Sequence, residues 1–92
     1  MIAGDFEWDD AKAAANLAKH GVSFVDAMLV FADPQAVLRV DERRNYGETR
    51  MNLIGRAANR DVLLIVCHVR RERIRIISAR PANRRERTNL ET

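Results

Sequence analysis

The segment Asp61-Val62-Leu63-Leu64-Ile65-Val66-Cys67-His68-Val69 is apolar at both side-chain parities. A strand sends successive side chains to opposite faces, so such a run needs cover on both sides and belongs in the middle of a sheet. Arg70 to Arg73 are all charged, and after them Ile74-Arg75-Ile76-Ile77-Ser78-Ala79-Arg80 reads as the return strand of a hairpin. The stretch Thr49-Arg50-Met51-Asn52-Leu53-Ile54-Gly55 is the candidate neighbour on the other edge. These three segments define a sheet core over 49–80.

With 92 residues, the chain is expected to form one domain, 1–92. A domain of this size buries roughly 60–65% of its chain surface, so a protein partner is a reasonable source of added stability. The 47% hydrophobic content argues against disorder. Val62–Cys67 is far too short to cross a bilayer, and the start lacks the pattern of a signal peptide. One cysteine makes no internal disulfide, so the expected compartment is a reducing cytoplasm, without membrane attachment.

The net charge of +3 conceals an asymmetry. Residues 1–48 hold nine acids and five bases, whereas 49–92 hold eleven bases and four acids. Fourteen of the sixteen basic residues are arginine, whose planar fork suits phosphate. A polyanion is the leading partner; a solvated face or an acidic protein is the alternative.

Ahead of the sheet core, Ile2 and Phe6 allow a short edge strand or a tucked terminus. Asp9 or Asp10 caps a helix over 10–19, and Gly21 stops it. Ser23 opens a second helix, whose Phe24, Ala27, Met28 and Phe31 form an apolar face, and Asp33-Pro34 closes it. A strand is expected at 36–41, a turn at Tyr46-Gly47, and a short terminal helix after Pro81, started by Asn83 and Glu86. The expected fold is α+β: two N-terminal helices, a mainly antiparallel four-stranded sheet and a short C-terminal helix.

A two-residue turn at Arg71-Glu72 pairs Arg70 with Arg73, Cys67 with Ile76 and Ile65 with Ser78. A four-residue turn before the central strand pairs Ile54 with Leu63 and Arg50 with Cys67. Alternation then puts Glu48, Arg50, Asn52, Cys67, Ser78 and Arg80 on one face. Met51, Leu53, Leu64, Val66, Ile77 and Ala79 occupy the other, against the N-terminal helices. Glu48 and Arg50 read as a carboxylate for proton transfer beside a phosphate-holding guanidinium, or as a surface salt bridge. Arg80, Arg84 and Arg85 cluster near the start of the last helix, where an anion is favoured. His20, beside Lys19, is a helix cap or an acid–base group. His68 and Cys67 read as interior residues. Neither the histidines nor the cysteine has metal-site spacing, so no metal or cofactor is expected.

The sequence resembles the BrnT-type toxins, ribonuclease halves of bacterial type II toxin–antitoxin pairs. The resemblance lies in Phe6-Glu7-Trp8-Asp9, Lys12, Asn16, Lys19-His20-Gly21-Val22-Ser23-Phe24, Ala27, Phe31, Asp33-Pro34, Gly47-Glu48-Thr49-Arg50, Gly55, Ile74 to Arg80, Ala82 and Arg84-Arg85-Glu86-Arg87. It implies a RelE-like fold, an RNA substrate and arrested translation. It also implies a ribbon-helix-helix antitoxin that neutralises the toxin and carries operator-DNA binding, in a possible heterotetramer. Carried onto this chain, the polar positions are His20, Glu48, Arg50 and Arg80, with Lys12, Lys19, Arg84 and Arg85 as RNA-binding candidates. Glu48 is then the expected base for the 2′-hydroxyl, His20 its substitute or the leaving-group acid, and Arg50 and Arg80 the charge stabilisers. Where members commonly carry a late tyrosine, this chain has Thr88-Asn89-Leu90, so no tyrosine role carries over. The alternative function is a non-catalytic module that grips RNA or an acidic protein within a repressor complex.

Overall fold

A computed structural model of the chain describes residues 1–41 and 47–91, with side chains described as far as Asn89. Tyr46 of the expected turn lies outside the described residues, whereas Gly47 is described and has φ of 74°. The elements in chain order are β1 (Ile2–Ala3), β2 (Phe6–Glu7), α1 (Asp10–His20), α2 (Phe24–Val30), β3 (Val37–Asp41), β4 (Arg50–Arg56), β5 (Leu63–Arg70), β6 (Ile74–Pro81) and α3 (Arg84–Glu91).

The six strands form one sheet in the order β1-β2-β6-β5-β4-β3. All pairings are antiparallel except β2 with β6, which is parallel, so the sheet is mixed. This overturns the expected four-stranded, mainly antiparallel sheet of RelE-like type. The first two helices do not open the chain either: a hairpin, β1-β2, precedes them. Its strands are two residues each, too short for any hydrophobic period, and their pairing depends on the distant β6. The Ile74 amide donates to Asp5 O at 2.7 Å, fastening the hairpin to the start of β6.

Local chemistry sets the helix ends as the capping residues suggest. Asp9 accepts from the Lys12 amide at 3.0 Å, and Gly21, at φ 70°, returns its amide to Leu17 O. Ser23 Oγ accepts from the Asp26 amide, and Asn83 and Glu86 complete a reciprocal capping box.

α1 and α2 cover one face of the sheet. Trp8, Val22, Phe24, Ala27 and Val30 pack there against Leu53, Leu64, Val66, Ile76 and Ala79. β5 is buried at every position from Leu63 to Val69, as its double-parity apolarity requires. Gly55 lies where α2 and the following turn approach closest. A Cβ there would come within 2.8 Å of Asp33 Oδ2 and 2.9 Å of Ala36 Cβ. Asp33 uses the same oxygen to accept the Arg56 amide at 2.8 Å, tying the end of β4 to the turn after α2.

The register differs from expectation by two residues in the β4-β5 ladder, and in the β5-β6 ladder by one next to the hairpin and by two beyond the bulge. Cys67 faces Ser78 rather than Ile76, and Ile65 faces Arg80 rather than Ser78. Asn52 rather than Arg50 faces Cys67, and Ile54 faces Ile65 rather than Leu63. Both loops are longer than expected, with Arg70 facing Ile74 instead of Arg73. An even shift preserves facing, so most face assignments survive. Ile77 is the exception, because β6 carries a bulge between its pairings to Cys67 and His68. The bulge puts Ile76, 1% exposed, into the core in place of Ile77.

Candidate functional site

On the face away from α1 and α2, the ladders align side chains in transverse rows. Arg39, Asn52, Cys67 and Ser78 are consecutive cross-strand partners and form a polar row across β3, β4, β5 and β6. Two residues toward the β5-β6 hairpin, Asp41 faces Arg50. Two residues the other way lie Val37, Ile54, Ile65 and Arg80. Ile54, Leu63, Ile65 and Ala82 make a small apolar cluster on this side, so its lower part is greasy and its middle polar.

At the β6 end of the polar row, the sheet meets α1. Asn16 is buried and makes this junction. Its amide nitrogen donates to Ala79 O at 2.8 Å and to Val22 O at 3.0 Å, while its oxygen accepts the Ala79 amide at 3.1 Å. One side chain thus substitutes for a neighbouring strand where β2 no longer pairs with β6. Beside it opens a pocket of about 240 Å³ lined by Lys12, Ala15, Asn16, Lys19, His20, Ile77 and Ser78. The helix spacing of Lys12, Asn16, Lys19 and His20 turns all four toward β6. The bulge leaves Ile77 free to line the pocket.

The structure therefore gathers His20, Lys12 and Lys19 around one cavity and places Arg80 two residues from the pocket's Ser78. Arg80 donates to both carboxylate oxygens of Glu86, at 2.7 and 2.8 Å, and so is bound to α3. Arg84 and Arg85 sit exposed in the first turn of that helix.

Glu48 and Arg50 lie elsewhere. Arg50 is four residues along β4 from Ile54, which shares a row with Arg80. Strand rise and spacing put Arg50 and Arg80 about 16 Å apart at Cα. Glu48, just before β4, accepts from Arg71 of the hairpin at 2.8 Å. That hydrogen bond holds the Glu48 carboxyl below its usual range and raises Arg71. The four residues named as catalytic candidates thus divide between two ends of the face.

Asp41 belongs to the site and was not singled out from sequence. It is 7% exposed, at the end of an otherwise exposed strand, and accepts from Cys67 Sγ at 3.9 Å. Only the β3-β4 register brings it opposite Arg50, and the polar stretch between these strands offers no periodicity to reveal that register. His68 is interior, as expected. Its Nδ1 lies 3.1 Å from Val66 O, and its ring meets Phe31 edge-on at 4.9 Å. Burial pushes its pKa below the ordinary histidine value.

Among the described residues, no three His, Cys, Asp or Glu side chains gather in a way that could hold a metal ion. No helix among them is long and apolar enough to cross a membrane. No curated protein matches the chain. The family model for the ribonuclease toxin BrnT of type II toxin–antitoxin systems matches residues 8–86, a span that includes α1, the pocket, the polar row and Glu86. The chain belongs to the BrnT family of ribonuclease toxins from type II toxin–antitoxin systems.

Proposed function

We propose that this protein is a metal-independent endoribonuclease that cuts RNA at the pocket between α1 and β6, with single-stranded RNA running across the polar row toward β3. The carrying observation is that Lys12, Lys19 and His20 share one cavity with Ser78, the last residue of that row.

RNA supplies its own nucleophile. The 2′-hydroxyl oxygen attacks the adjacent phosphorus, the bond to the 5′-oxygen breaks, and a 2′,3′-cyclic phosphate and a 5′-hydroxyl result. A base takes the 2′-hydroxyl proton and an acid protonates the leaving oxygen. His20 is the proton-transfer group placed in the cavity. Lys12 and Lys19 stabilise charge on the pentavalent phosphorus, and Arg80 approaches from the adjacent row. Glu48 is reassigned on two grounds. Its ion pair with Arg71 makes it a weaker base, and that contact holds it at the hairpin end of the face, away from Ser78. Glu48, Arg71 and Arg50 instead organise the neighbouring backbone, Arg50 gripping a phosphate. Arg84 and Arg85 extend the basic surface beyond Arg80. Cleavage in the cytoplasm arrests translation. A ribbon-helix-helix antitoxin covers this face, and operator DNA is bound only through the toxin–antitoxin complex.

The test is steady-state cleavage by the purified protein. His20→Ala lowers kcat about 100-fold or more with KM little changed. Arg50→Ala raises KM and leaves kcat near the parent value. Full activity in His20→Ala overturns the assignment of the pocket.

A further inference from the structure

Asp41 is an acid buried in the face proposed to bind a polyanion, which calls for a physical reason. A buried carboxylate is costly unless a cation or several donors compensate it. The Cys67 thiol, a weak donor at 3.9 Å, supplies little of that compensation. The cation opposite Asp41 in the β3-β4 ladder is Arg50. Directly opposed residues on one face of an antiparallel pair have Cβ atoms about 4.5–5.5 Å apart, within reach of a carboxylate and a guanidinium. Arg50 is half-buried and its side chain lies on the same face as the polar row.

We infer that Asp41 is a positioning residue for RNA binding, setting the direction of the Arg50 guanidinium so that it meets a backbone phosphate beside the row Arg39, Asn52, Cys67 and Ser78. The inference rests on the proposed use of this face for RNA. An arginine side chain has many rotamers, and fixing it beforehand removes an ordering cost from binding. A buried acid at the root of the arginine does so without presenting its own charge to the RNA, because Asp41 is almost wholly covered. Asp41 therefore acts on affinity through Arg50 and does not touch the reacting atoms.

The test is a double-mutant cycle on Asp41→Asn and Arg50→Ala. It reads kcat and KM on a single-stranded RNA, and binding of an uncleavable 2′-O-methyl RNA oligonucleotide over a range of salt. Asp41→Asn is expected to raise KM at least about fivefold and leave kcat within about twofold. Losing one phosphate contact lowers the salt slope of log affinity by about 0.7, and each single variant shows that loss. The double variant matches Arg50→Ala alone, and Asp41→Glu recovers most of the affinity. Thermal melting accompanies each variant. If Asp41→Asn no longer melts cooperatively, Asp41→Ser takes its place in the cycle.

A loss from Asp41→Asn that multiplies with that of Arg50→Ala overturns the inference, as does a parental KM and salt slope in Asp41→Asn. Parental binding in Arg50→Ala overturns both this inference and the assignment of Arg50 to phosphate. The His20→Ala result stands apart from either outcome, so failure of the catalytic pocket is distinguished from failure of the positioning pair.

Discussion

His68 shows how one residue can carry a condition-dependent stability. It is fully buried, and its Nε2 has no hydrogen-bond partner among the described residues. Burial disfavours the imidazolium, so the folded pKa lies below the unfolded value near 6.5. Below that value the unfolded chain binds a proton that the folded chain refuses, and stability falls as pH falls. Above it, both states are neutral and this contribution to pH dependence vanishes. Urea unfolding between pH 7 and pH 5 is expected to show this, with up to about 1.4 kcal/mol lost per pH unit from His68. His68→Leu flattens the curve in this window. An unchanged slope in that variant means that another group carries the dependence. The interior position of His68 was legible from its place in an apolar strand; the contact with Phe31 was not, because it joins the end of α2 to β5 across 37 positions.

At the scale of elements, the junction of α1 with β6 carries both the fold and the pocket. Asn16→Ala removes three buried hydrogen bonds and leaves the Ala79 amide, Ala79 O and Val22 O without that partner. The expected cost is about 3 kcal/mol, and α1 loosens from the sheet edge. Urea unfolding reads the loss, and hydrogen exchange at the Ala79 amide should accelerate with it. A change below about 1 kcal/mol would mean that the helix is held by its apolar face alone. Both caps of α1 were visible in sequence. That Asn16 replaces a missing strand was not, since its partner Ala79 lies 63 residues away. The β6 bulge was hidden for a related reason. Ile76 and Ile77 are chemically alike, so only the packing decides which one faces the core.

Across the whole molecule, the basic excess after residue 48 was the clearest functional signal, and it maps to β4, the β5-β6 hairpin, β6 and α3. Face assignment survived except at Ile77, because the register error was even across β4-β5 and, beyond the bulge, across β5-β6. The strand count did not survive, because β1 and β2 are held by a parallel contact with β6 that no local pattern encodes. A joint role for Glu48, Arg50 and Arg80 was expected from their shared face alone. Parity decides the face but not the row, and the rows separate the two arginines while the lysines and His20 meet at the sheet edge. The account therefore rests on cleavage at that edge by 2′-hydroxyl attack. The most direct measurement is the end chemistry of fragments made from a single-stranded RNA by the purified protein in excess EDTA. The account predicts 2′,3′-cyclic phosphate and 5′-hydroxyl ends, lost when the 2′-oxygen at the cut is methylated. Intact RNA, 3′-hydroxyl ends, or cleavage that persists at a 2′-O-methyl position would contradict it.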